Sequence, residues 1–199
     1  EQQGAFVFFI TIYVGAGLIA NDRRANALQI YLSKPLLRME YIGGKLGVLV
    51  FYLLLVTLVP AVMLLLMQIM FSGSLTFIRA NAFVVPAIVL TSLIKVFVAS
   101  FTMLALSSLS KSTRYVAVLY TGVIFFTEAM YGVLTLITGS TRVAWISITG
   151  NIDRVTDLVF RQPPRYETPA IVSALVLLGL IVVSISVLER RVRGVEVVS

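Results

Sequence analysis

Between residues 48 and 67 the chain runs apolar almost without a break, with Tyr52, Thr57 and Pro60 as the only exceptions. The hydrocarbon core of a bilayer is about 30 Å thick and takes roughly 20 apolar residues of helix to cross. Residues 4–20, 44–71, 81–106, 115–138 and 169–188 all meet or approach that length. Strands of a membrane barrel would instead alternate polar and apolar side chains over about ten residues, a pattern these runs do not have. With 59% hydrophobic and 13% charged residues, the composition lies beyond that of soluble domains. The expectation is an all-α integral membrane protein with five visible spans, one integral domain over residues 1–199 and no internal repeat or linker.

Several chemistries are disfavoured by what the sequence lacks. There is no cysteine, so disulfides and thiolate chemistry are excluded. There is no histidine, which removes the commonest general base and the usual zinc ligand, and no GxxxxGK[ST] loop that would cradle a nucleotide. A membrane-embedded enzyme would have to work with Glu128 and scattered Ser and Thr.

Orientation follows from the basic residues. If the charged island at residues 21–45 faces the cytoplasm, that side also receives Lys111, Arg114, Arg190, Arg191 and Arg193. The other side receives only Arg79, Arg142, Arg154, Arg161 and Arg165. The excess predicts a cytoplasmic island and a multi-pass protein of the cell membrane, the inner membrane of a prokaryote. It also puts Glu1 outside, and with no initiator Met and no signal peptide a sixth span is expected before it.

The island carries the clearest pattern. Ala25, Leu28, Tyr31 and Leu32 recur at helical spacing, Asn21 or Asp22 is placed to cap a helix over residues 25–33, and Pro35 limits its continuation. A surface helix joined to two spans works as a lever for any partner that grips it. Residues 139–168 read as an outer amphipathic or re-entrant segment, with Asn151 as N-cap and Ile152, Val155, Leu158 and Val159 forming the apolar face, near Trp145 and Tyr166. That segment is expected to act as a lid over the helix ends or as an exit gate. Pro60 and Pro86 are positions where a helix kinks unless its neighbours re-satisfy the freed carbonyls.

The stretch from Gly15 to Lys45 resembles the cytoplasmic loop of type-2 ABC exporter permeases. Asp22-Arg23, Asn26, Leu28-Gln29, the aliphatic run Ile30-Tyr31-Leu32, Ser33-Lys34-Pro35, Arg38 and Glu40, and Gly44-Lys45 match its pattern in order. Where that family has Glu this chain has Gln29, which hydrogen-bonds but forms no ion pair. The resemblance implies the type-2 exporter fold, a coupling-helix loop at residues 21–43, and export driven by a separate cytoplasmic ATP-binding cassette subunit that holds ATP and Mg, with no cofactor bound by this chain. It also implies a second permease subunit, as homodimer or heterodimer, and no nucleic acid. Asp22, Arg23, Arg24, Asn26, Leu28, Gln29 and Tyr31 are the residues expected to transmit force. The alternative is a structural or regulatory membrane subunit that recruits an ATPase and conducts nothing.

A second constellation lies inside the membrane. At 1.5 Å per residue, Lys95 is about 18 Å and Glu128 about 21 Å from their cytoplasmic helix ends, so they lie at similar depth. Thr91 and Lys95 share one helix arc, and Thr121, Glu128, Tyr131 and Thr135 share another. A lone charge at that depth costs several kcal/mol, which suggests a Lys95 to Glu128 ion pair, within one subunit or across a dimer, or a substrate path lined by these residues.

Overall fold

The computed structural model describes residues 2–27, 38–72 and 81–192. Their regular structure is all helix, without a strand among them, and five helices are long and apolar enough to cross a membrane. The chain is a multi-pass membrane protein. The first span comprises α1 (Gln2–Ile10), a π-helical turn (Thr11–Gly15) and α2 (Gly17–Arg24). The others are α3 (Arg38–Ser72), α4 (Val84–Leu109), α5 (Thr113–Thr138) and α7 (Ala170–Arg191). Between α5 and α7 lie a 3₁₀ turn (Thr141–Ile146) and the short helix α6 (Ile148–Val159).

Two boundaries differ from the expectation. Helix α2 carries through Asn21 and Asp22 to Arg24, so neither residue caps a following helix. It ends where Asn26 takes φ +52°, a left-handed conformation that asparagine tolerates better than most side chains. Helix α3 starts at Arg38, six residues before the apolar run. The stretch through Glu40, Gly43 and Gly44 is therefore helical, and the loop drawn at residues 21–43 loses both its ends to the flanking helices. Leu28, Gln29 and Tyr31 lie outside the described residues. At 35 residues α3 is about 52 Å long, well beyond the roughly 30 Å of hydrocarbon, which is why its first turns carry charge.

The prolines are accommodated in different ways. Pro60 sits inside α3, which runs on through it. Pro86 falls in the first turn of α4, where a missing N–H costs nothing.

Contacts gather the chain into two compact units. The first holds Glu1–Tyr52, Phe97–Val123 and Leu178–Ser199. Ile19, Leu49, Met103, Leu104, Val116 and Leu188 are buried in it. Gly15 lets the first span approach closely, since a Cβ there would fall 2.5 Å from Met103 Cγ and 3.0 Å from Leu49 Cδ2. At the π turn, the buried Thr11 hydroxyl donates to the Val7 carbonyl at 2.6 Å. The Phe8 ring stacks on Tyr120.

The second unit holds Leu53–Val96 and Ile124–Leu177. Its outer segment closes on itself: Glu167 N–H donates to Thr141 Oγ1 at 3.0 Å, Thr168 Oγ1 to the Arg142 carbonyl at 2.9 Å, and Arg154 Nε to the Thr168 carbonyl at 2.8 Å. Arg161, with φ +55°, lays its guanidinium over the Phe83 ring at 4.8 Å. Large apolar side chains face outward along the spans, among them Phe125, Phe126, Leu136 and Ile137 on α5, as expected of helices solvated by lipid.

Candidate functional site

Two groups of polar side chains stand out, one in each unit. In the first unit, three consecutive residues in the last turn of α2 each hold a different helix. Asn21 Oδ1 accepts from Thr113 Oγ1 at the start of α5, at 2.9 Å. Asp22 accepts from Tyr41 Oη at 2.7 Å and pairs with Lys45 Nζ at 2.8 Å, both on α3. Arg23 donates from its guanidinium to the Ser108 carbonyl, one of the carbonyls that the end of α4 leaves without an intrahelical partner. Successive residues leave a helix about 100° apart, so three consecutive side chains naturally reach three directions.

Just behind this junction, Ser107 of α4 is fully buried. Its hydroxyl accepts from the Ile19 and Ala20 amides at 3.1 and 3.0 Å and donates to the Ala16 carbonyl at 2.9 Å. Ala16 is the N-cap of α2 and offers no side-chain acceptor. Ser107 supplies that cap from another helix. Of the residues expected to transmit force, Asp22 and Arg23 are therefore spent on internal bonds, whereas Arg24 and Asn26 are exposed.

The second unit brings Glu128 against the segment between α5 and α7. Its carboxylate accepts from Ser147 Oγ at 2.6 Å. Ser147 is also the N-cap of α6, accepting from the Gly150 amide at 2.7 Å, so the cap is four residues earlier than the expected Asn151. Asn151 is buried in the first turn and donates to the Trp145 and Ser147 carbonyls, both at 2.7 Å.

Helix α6 turns a charged residue inward. Asp157 is only 1% exposed and Leu158 is 58% exposed. Asp157 is held at both oxygens by Arg165, whose Nε and Nη2 lie 2.9 and 2.8 Å from Oδ1 and whose backbone N–H donates to Oδ2 at 3.0 Å. The same guanidinium stands 3.5 Å from Asp153. Buried charge needs partners, so Asp157 turns toward Arg165, and Leu158 next to it is left outside.

Burial pushes the Asp153 carboxyl up, against the opposing pull of Arg165 and then Lys95. Burial likewise raises the Tyr166 hydroxyl, helped by the charges of Asp153 and Glu128. The hydrogen bond from Asp157 raises the Arg165 guanidinium further. Lys95 thus lies within the electrostatic reach of Asp153.

The expected pairing of Lys95 with Glu128 is not made within the chain. Among the described residues the ion pairs are Lys45–Asp22, Arg142–Glu167, Arg165–Asp153 and Arg165–Asp157. Thr91 is occupied by its own helix, donating to the Ala87 carbonyl at 2.8 Å. Tyr131 meets Tyr166 edge to face with centroids 5.8 Å apart. Thr135 Oγ1 is buried without a hydrogen-bond partner among the described residues. Thr121 belongs to the first unit.

Sequence reasoning missed Ser107, Ser147, Asp153, Arg165 and Tyr166 as members of these groups. The only available signal was for the last three: charged or aromatic residues within a segment flanked by spans. No group of three or more acidic, histidine or cysteine side chains placed to hold a metal occurs among the described residues. In comparisons with known proteins, no family model, no curated protein and no solved structure matches the chain.

Proposed function

We propose that this chain is the membrane-spanning permease subunit of an ATP-driven exporter of the type-2 ABC class. In this reading it moves its cargo by alternating access. The nucleotide chemistry resides in a separate cytoplasmic ATPase subunit that holds ATP and Mg, and a second permease subunit completes the pathway. The chain lies in the cell membrane with the stretch after α2 facing the cytoplasm.

The observation that supports this reading is the junction at Asn21, Asp22 and Arg23. A force applied to the segment after Arg24 passes through these anchors to α5, α3 and α4 together, which is the mechanical property a coupling element needs. The exposed Arg24 and Asn26 sit just beyond the anchors, on the side a partner would touch.

The chain has no native cysteine, so a single introduced thiol reports without background. The test uses Arg24→Cys in the full subunit, co-expressed with an ATPase encoded beside it. Labelling by a membrane-impermeant maleimide is expected in inside-out vesicles and not in intact spheroplasts, and a bifunctional crosslinker is expected to join this position to the ATPase. Labelling only from outside, or no crosslink in an assembled complex, overturns the proposal. Crosslinking with no ATP-dependent transport of any cargo would favour the non-conducting recruiter.

A further inference from the structure

The described residues of the second unit carry four carboxylates, Glu128, Asp153, Asp157 and Glu167, and five cations, Lys95, Arg142, Arg154, Arg161 and Arg165. Arg165 holds Asp157 at both oxygens and also approaches Asp153, and Arg142 approaches Glu167. Glu128 is the carboxylate of this unit that is not so held: it has a neutral hydroxyl, Ser147, at 2.6 Å and no Lys or Arg nitrogen within 4 Å among the described residues.

Two tyrosines accompany this position. Tyr131 follows it by three positions on α5 and so lies on the same face. The Tyr131 ring meets that of Tyr166 edge to face at 5.8 Å, and Tyr166 is near enough to feel the charge of Glu128. Glu128, Tyr131 and Tyr166 are all half-buried, so the group is reachable rather than sealed.

The geometry points to Glu128, with Tyr131 and Tyr166, as a binding site for an alkylammonium group. Such a cation gains the quadrupole attraction of two tyrosine rings and supplies a positive charge to Glu128. A divalent metal is a poorer fit, because it demands several oxygen ligands and only one unmatched carboxylate is present. The same chemistry is carried by the headgroup of an aminophospholipid and by an amphiphilic amine dissolved in the membrane. As the cargo-recognising site of an exporter this inference rests on the proposal above, but the binding itself needs neither ATP nor the ATPase.

The experiment measures equilibrium binding of dodecyltrimethylammonium to the full chain in nanodiscs of phosphatidylglycerol, without the ATPase. Glu128→Gln keeps an acceptor for Ser147 and removes only the charge. It is expected to weaken binding by about ten- to a hundredfold, the range set by charge-assisted contacts. Ser147→Ala keeps the charge and is expected to bind within about threefold of the parent.

Equal binding by the parent and Glu128→Gln overturns the site, as does an equal loss in Ser147→Ala, which would mean that the bond only holds the fold. If Glu128→Gln does not fold, Tyr131→Leu and Tyr166→Leu decide the matter, a several-fold loss supporting the site and unchanged binding overturning it. Adding phosphatidylethanolamine to the nanodiscs separates the sources: competition assigns the site to the lipid headgroup, and no competition assigns it to the free amine. Failure of ATP-driven transport with intact binding would count against the export proposal alone.

Discussion

Replacing Ser107 with Ala tests whether a hydroxyl on α4 caps the helix that follows the π turn. The change deletes three hydrogen bonds, two accepted from the Ile19 and Ala20 amides and one donated to the Ala16 carbonyl, at a site with no exposed surface. Interhelical hydrogen bonds in membrane proteins average about 0.6 kcal/mol, so the three together amount to roughly 2 kcal/mol. The better helix propensity of Ala offsets the loss by a few tenths of a kcal/mol. The expected loss is about 2 kcal/mol, close to a thirtyfold shift in the folding equilibrium.

Ser108 provides an internal control, being equally buried but donating only to the Ala105 carbonyl of its own helix. Such a back-bond competes with the helix ladder and adds little, so Ser108→Ala is expected to fall within about 0.5 kcal/mol of the parent. Reversible unfolding in mixed micelles of rising dodecyl sulfate fraction measures both variants. If Ser107→Ala unfolds at the same fraction as Ser108→Ala, the capping argument is wrong.

In a double-mutant cycle on Asp22→Asn and Lys45→Met, this partly buried pair is expected to show a coupling of about 1 kcal/mol, read from the same unfolding assay. If the proposed ATPase subunit is the partner, either single change is expected to lower cargo-stimulated ATP hydrolysis in the complex while leaving assembly intact. Gly15→Ala would push a Cβ to 2.5 Å from Met103 Cγ and is expected to cost about 1–3 kcal/mol, most of it recovered by adding Met103→Ala. The raised Asp153 carboxyl binds its proton more tightly folded than unfolded, so its contribution to stability is full below the ordinary aspartate range and is lost as pH rises through the folded value. Asp153→Asn is expected to flatten that part of a Tm-against-pH profile, and an unchanged profile would remove Asp153 from the account.

The spans were legible because the bilayer imposes a length and an apolarity that few other environments require. Their ends were not. Arg38, Met39 and Glu40 read as loop beside an apolar run, yet all three favour a helix, and α3 simply continues out of the hydrocarbon.

Lys95 and Glu128 announced themselves as charges inside spans, but the companions of Glu128 did not. Ser147 and Tyr166 are distant in sequence, and the amphipathic pattern of α6 does not say which residue turns toward Arg165. Asp157 is buried and Leu158 exposed because the charge of Arg165 needs a partner. Ser107 was invisible for a simpler reason, since a lone serine in an apolar run carries no mark of which neighbour it will cap.

The trio that ends α2 has a consequence for how the first span can move. A helix anchored on one side can roll about that contact, trading one neighbour for another. Anchored at 100° intervals around its circumference, α2 cannot spin without shearing all three attachments at once, whereas a shared tilt or slide with its neighbours breaks none. Axial torque is thereby blocked, and the motion left to this part of the molecule is that of a block.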